Sequence, residues 1–200
     1  MRKILVFLAV VACFGITGCA SKLMQPVDLA TIPSTISQDE SAVVFFRATN
    51  FGGAIQAPVA DVTDSKVEHV AIISAKMKYL HKTAPGKHFY LVGGESSELL
   101  EADLEGGKTY FVYVSPRMGF WKARFVFVPV TDKDLETDSF KKDLAWCEWH
   151  INAPEAEAWF RENLSSMQAK RTDAYQEHNA AKSEDKKILK PHYGTMAPIR

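Results

Sequence analysis

From Ser41 to Val130 the apolar residues recur at every second position rather than every third or fourth. That is the period of a half-buried strand. Ser41–Ala48 carries Val43-Val44-Phe45-Phe46, and 55–62 alternates around Pro58. Val67–Ile73 spaces Val70 and Ile72 between smaller residues, and Lys76–His81 sets Met77 and Tyr79 among lysines. His88–Val92 is aromatic and aliphatic, and Glu98–Leu104 separates Leu100, Ala102 and Leu104 from Glu101 and Asp103. Lys108–Ser115 aligns Tyr110, Val112 and Val114. Arg124–Val130 is rich in Phe and Val, with Pro129 marking an edge or a strand end. Asp64-Ser65, Pro85-Gly86 and Gly106-Gly107 supply turn chemistry between the runs. Eight short strands without intervening helices predict a mainly β fold. The expected form is an antiparallel β-sandwich of seven or eight strands over residues 41–131.

Beyond residue 131 the period changes. Ser139–Ala145 reads as a short helix with Asp138 or Ser139 at its cap, and Trp146–Ile151 alternates as a further strand would. From Pro154 no Gly or Pro interrupts until Pro191, and Glu155 and Glu157 sit where a first turn favours negative charge. Phe160, Leu164 and Met167 keep helical spacing, and Glu157–Arg161 is a favourable i,i+4 pair. One long C-terminal α-helix over 154–189 is the expectation. Its apolar stripe fades after Met167, so the first four turns would dock and the rest would stay solvated. Arg171, His178 and Asp185 in the seam argue against a coiled-coil dimer. Residues 132–200 thus read as a linker plus helical extension. Residues 19–40, with Pro26, Pro33 and no periodicity, read as a flexible tether. Its typical reach would be about 25 Å.

The first eighteen residues are an address. A basic Met1-Arg2-Lys3 precedes the uncharged apolar run Ile4–Phe14, which is too short to span a bilayer. Ile16-Thr17-Gly18-Cys19 resembles the bacterial lipobox. The resemblance implies that Cys19 becomes the lipid-bearing first residue of the mature chain, with a membrane as its partner. One acyl chain anchors only marginally, whereas several, palmitate among them, anchor stably. Ala20 and Ser21 lack the Asp after Cys that favours inner-membrane retention in such proteins. The resemblance therefore implies an outer-membrane lipoprotein facing the periplasm, with surface display as the alternative.

Composition narrows the functional classes. The 24 basic and 24 acidic residues balance, which argues against a nucleic-acid partner. Three cysteines are too few for a disulfide scaffold. Removal of the signal discards Cys13, lipid would consume Cys19, and Cys147 remains. Cys147 lies between Trp146 and Trp149, with His150 three residues on. It reads as a small buried hydrophobe, since a nucleophile needs a base adjacent in space.

Thr83-Ala84-Pro85-Gly86-Lys87-His88, then Leu99–Leu104, then Gly107-Lys108-Thr109-Tyr110-Phe111-Val112 follow a recurring order of turn and core residues. This order resembles the small β-sandwich of uncharacterised bacterial lipoproteins, similar in style to PEGA-type carbohydrate-regulatory-like domains. The resemblance covers roughly residues 41–130. It implies an envelope accessory or binding module and brings no catalytic residue.

Candidate chemistry is sparse. The six histidines form no compact metal spacing, and no metal or cofactor is expected. His81 and His88 flank one turn. They carry the rival reading, a periplasmic hydrolase or metal-dependent enzyme. Gly86-Lys87-His88 lacks the rest of a phosphate loop, and no Gly-x-Ser-x-Gly elbow occurs. Asp132, Asp134, Glu136 and Asp138 lack the glycine and closing Glu of a calcium loop and read as a solvated acidic linker. If the eight strands alternate, the connections around Phe51, Ser74, Gly93 and 116–122 share one pole. That pole would carry Phe51, Arg117, Met118, Phe120 and Trp121 as candidate partner-binding residues. The bland alternative tucks Phe120 and Trp121 under the terminal helix. The preferred reading is a non-enzymatic, outer-membrane-anchored module that binds an envelope protein or glycan. A helical arm from Tyr175 wedged into an assembly is a third reading.

Overall fold

The computed structural model describes residues 22–53, 55–118 and 123–199. Each of the eight runs between residues 41 and 130 forms a strand. These are β2 (Ser41–Arg47), β3 (Ala57–Asp61), β4 (Glu68–Ile73), β5 (Met77–Thr83), β6 (Gly86–Val92), β7 (Glu98–Leu104), β8 (Thr109–Met118) and β9 (Ala123–Pro129). Three short strands join them from outside that span: β1 (Met24–Pro26), β10 (Glu148–Asn152) and β11 (Lys187–Leu189). Sheet A has the order β1-β10-β5-β2-β8-β9, and sheet B the order β11-β7-β6-β3-β4.

The expected all-antiparallel pairing does not hold. β2 runs parallel to β8, β10 to β5 and β11 to β7, so both sheets are mixed. Alternation along a strand reports which face is buried, not the direction of a neighbour brought in from far along the chain. Parallel neighbours need long crossovers. Here β2 reaches β8 only after the chain has built most of sheet B.

Four layers result. Between the sheets lie Val43, Phe45, Tyr90, Leu100, Val112 and Phe127. The outer face of sheet A buries Val44, Phe46, Phe111 and Trp149 beneath Phe140 and Ile199. Phe140 belongs to α2 (Asp138–Trp146), which follows the single turn α1 (Asp132–Leu135). The outer face of sheet B buries Val62, Leu91 and Leu99 beneath Phe160, Met167 and Ala174 of α3 (Pro154–Glu162) and α4 (Leu164–Ala180). Covering both faces explains the run Ala42–Phe46, every residue of which is fully buried. A strand buried on both faces loses its alternation.

The acidic run before α2 is capping chemistry rather than a linker. Thr131 and Asp134 form a reciprocal capping box, and Thr137 caps α2 through the Phe140 N–H.

Two regions differ from expectation. Residues 22–40 are not a loose tether. β1 pairs antiparallel with β10, and Ile32 and Ile36 are buried on sheet A. Their apolar residues are too widely spaced to show a period, because each docks on a surface built elsewhere. The long helix also breaks at Asn163. The side chain of Asn163 donates to the Trp159 carbonyl at 2.8 Å and its N–H reaches the same turn, which satisfies the end of α3. α4 then stays docked nearly to its end, where Tyr175 donates its hydroxyl to Val62 O at 3.2 Å and His178 packs edge-on against Phe89. The chain leaves α4 at Ala181, and Leu189 is fully buried in β11. The apolar pair at 188–189 serves a strand, not a fifth turn of stripe.

Candidate binding pole

β2 ends on Arg47, a charged residue with 1% exposure. Its guanidinium meets no carboxylate. Nη1 donates to Ile55 O at 2.7 Å, and Nη2 donates to Phe51 O at 2.6 Å and Gly52 O at 2.8 Å. The same group lies 5.2 Å above the Phe125 ring of β9. Burial lowers the Arg47 pKa from its ordinary value, yet guanidinium stays charged in proteins. Arg47 therefore folds the connection 48–56 around itself. Gly52 takes φ +62°, and its carbonyl turns onto Nη2. Phe51 is left pointing outward at 53% exposure.

Beside this loop the β8–β9 ribbon outruns its sheet. β2 pairs with β8 only as far as Phe46↔Tyr113, whereas β8 and β9 stay paired to Met118↔Ala123. The first part of that ribbon still packs on the core through Val114, Phe125 and Phe127, and its tip at Arg117 and Met118 is exposed. Met118 is 82% exposed, and Arg117 stands directly opposite Arg124. Like charges in that position repel. Neither arginine makes an ion pair with a described residue, although Arg117 feels the Glu98 carboxylate across a mixed-charge groove of about 380 Å³. Burial raises the Glu98 carboxyl, which accepts the Phe127 N–H at 2.6 Å.

The register puts these features at one end. Arg47 is level with Met77, Ala57 with Ile73, and Val92 with Glu98. The three residues 74–76 carry the chain from sheet B to sheet A, so the ends of Ile73 and Met77 lie at the same pole. Arg47 then ties the Phe51 loop to the ribbon through Phe125. Phe51, Arg117 and Met118 thus share that pole. Cys19, Phe120 and Trp121 lie outside the described residues. Sequence reasoning missed Arg47. The available signal was an arginine closing a run of five apolar residues immediately before a Gly-Gly loop.

His81 and His88 do not flank a hairpin. β5 belongs to sheet A and β6 to sheet B, so the turn between them is a corner. His88 Nδ1 lies 3.1 Å from Asp61 Oδ2, and Nε2 lies 2.9 Å from Ala84 O. Both partners are acceptors, an arrangement that favours the protonated ring. The hydrogen bond to Asp61 raises the His88 pKa accordingly. His81 faces inward against Tyr90, and burial lowers its pKa to about 4. His88 is thus pinned between Asp61 and Ala84, while His81 packs against Tyr90. Among the described residues no three His, Cys, Asp or Glu are grouped so as to hold a metal ion.

Cys147 is buried, and burial pushes its thiol up to about 11. The nearby Lys78 ammonium donates to Leu144 O at 2.8 Å and lies 4.8 Å over the Trp149 ring. His150 places Nδ1 3.0 Å from the Glu148 carbonyl.

Among the described residues no helix is long and apolar enough to cross a membrane. No family model, curated protein or solved structure matches this chain. The likeness to PEGA-type domains therefore rests on its turn and core residues alone.

Proposed function

We propose that this chain is a lipid-anchored, non-enzymatic binding module of the cell envelope. Cys19 would hold it in the outer membrane, facing the periplasm. The pole bearing Phe51, Arg117 and Met118, with Phe120 and Trp121 between the ribbon strands, would engage an envelope protein or glycan. One observation carries the reading. A buried arginine is spent on holding a loop and a projecting ribbon together, and both leave large apolar side chains in water. Rigidly mounted loops are where sandwiches commonly bind, and Arg beside large apolar groups is a typical anchor. The test is crosslinking in intact membranes followed by purification of adducts, with wild type compared against Phe51→Ser/Met118→Ser. The double variant should lose the adducts that wild type forms. Equal recovery from both, or none from either, contradicts the reading.

A further inference from the structure

The edge of sheet A where the chain enters the fold carries its own apolar surface. Leu29 is 46% exposed, Trp146 41% and Ile151 39%. Gln25 of β1 pairs with Ile151, Val27 N–H donates to Trp149 O, and Leu29 follows within two residues. A cleft of about 310 Å³ opens beside Leu29, lined by Phe140, Leu144, Trp149 and Ile199. Lysines border it. Lys141 lines the cleft, the Lys76 ammonium lies 4.6 Å over the Trp146 ring, and Lys22 is exposed where β1 begins. Glu148 and Asp28 also belong to this edge, and Asp28 already accepts the Ala30 N–H at 2.8 Å.

We infer that this edge lies flat on the lipid surface that carries the anchor. The inference rests on the proposed lipidation of Cys19. Leu23 is held in the fold, its carbonyl accepting the Ala153 N–H at 3.0 Å. Four residues from Cys19 span at most about 14 Å, even fully extended. The body is therefore leashed to the headgroup region, and the leash leaves the fold on the edge that bears the three apolar side chains. Trp favours the headgroup level, and lysines reach past apolar neighbours toward anionic headgroups. The occupant that fits an apolar strip rimmed by lysines at the end of a short acyl leash is the bilayer itself.

The experiment uses the full-length processed protein in phosphatidylethanolamine–phosphatidylglycerol vesicles, with and without brominated acyl chains. Bromine quenches only tryptophans at the bilayer. Wild type should lose emission in brominated vesicles, and Trp146→Phe should abolish most of that loss. Leu29→Ser/Ile151→Ser keeps Trp146 and should weaken the quenching. Equal quenching of wild type and Trp146→Phe, or none of either, overturns the docked edge. The mass of the N-terminal peptide is measured on the same sample. An acylated Cys19 with unquenched Trp146 refutes the orientation alone, whereas an unmodified Cys19 refutes the anchor and the orientation together.

Discussion

At the pole of short turns, Asp61 faces His88, Gly107 N–H donates to Glu40 O at 2.8 Å, and the Tyr110 hydroxyl joins Glu105 N–H to Pro191 O. At the other pole a single guanidinium holds three carbonyls, and Phe51 and Met118 stand in water. The first end is sealed by several independent contacts drawn from both chain termini. At the second, Arg47 alone gathers the Phe51 loop, while Lys170 of α4 holds the 93–97 connection by donating to Gly94 O at 2.6 Å and accepting from Ser97. The difference separates an end that closes the sandwich from an end built to present loops. It also makes the two ends fail differently.

The largest expected effect lies at the presenting pole. Arg47→Met keeps the aliphatic stem but removes three charge-assisted hydrogen bonds, each worth about 1.5–3 kcal/mol at most. Part of that is recovered by water at the loop, so a loss of roughly 3–4 kcal/mol is expected in urea unfolding. Amide exchange over residues 48–56 should rise more than exchange at the opposite turns. A uniform rise would erase the distinction between the poles.

The sealed pole should show itself in pH. His88 has a raised pKa, so its contribution is complete below about 6.5 and is lost as pH rises through its folded value. His81 is lowered to about 4, so the fold resists its protonation and stability falls as pH drops from 6.5 toward 4. At ~1.4 kcal/mol per unit the acid limb carries up to about 3 kcal/mol. Burial also lowers His69 and His178, which adds to the same limb. Stability should therefore peak near neutral pH. His88→Gln should flatten the alkaline limb and His81→Phe the acid one, both read from denaturant midpoints. A pH profile identical in all three proteins would show that neither histidine titrates with folding.

Gly106→Ala is the next smaller test. A Cβ there runs into the backbone of Gln38. Overpacking of this kind costs about 2 kcal/mol, measurable as a fall in midpoint without change of slope. The smallest effect on stability belongs to Phe51→Ser and Met118→Ser. Both side chains are solvated, so each should fall within about 0.5 kcal/mol of wild type. A loss of several kcal/mol would mean that these residues hold the fold together and do not present a surface.

The strands were legible because each alternating or apolar run between 41 and 130 is bounded by turn residues. The parallel pairings were not, because no local pattern encodes a neighbour sixty residues away. Ala42–Phe46 held a further clue. Four large apolar residues in succession mean burial on both faces, which implies the helical covers on both sides of the sandwich. β1 and β11 escaped detection because three-residue strands carry no period of their own. The break at Asn163 needed side-chain geometry, since its neighbours all favour helix. At the pole, the exposed positions followed from strand counting, whereas Arg47 drew no notice because a charged residue ending a strand ordinarily points to water.

The central claim is that only one pole is built to bind. A photo-crosslinking residue placed at Met118 and, in a separate protein, at Lys66 in the turn between β3 and β4 tests it most directly. Both positions are exposed and they lie at opposite ends. Illumination in intact membranes should give a discrete adduct from position 118 and none from position 66. Equal adducts from both positions, or an adduct from position 66 alone, would contradict the account.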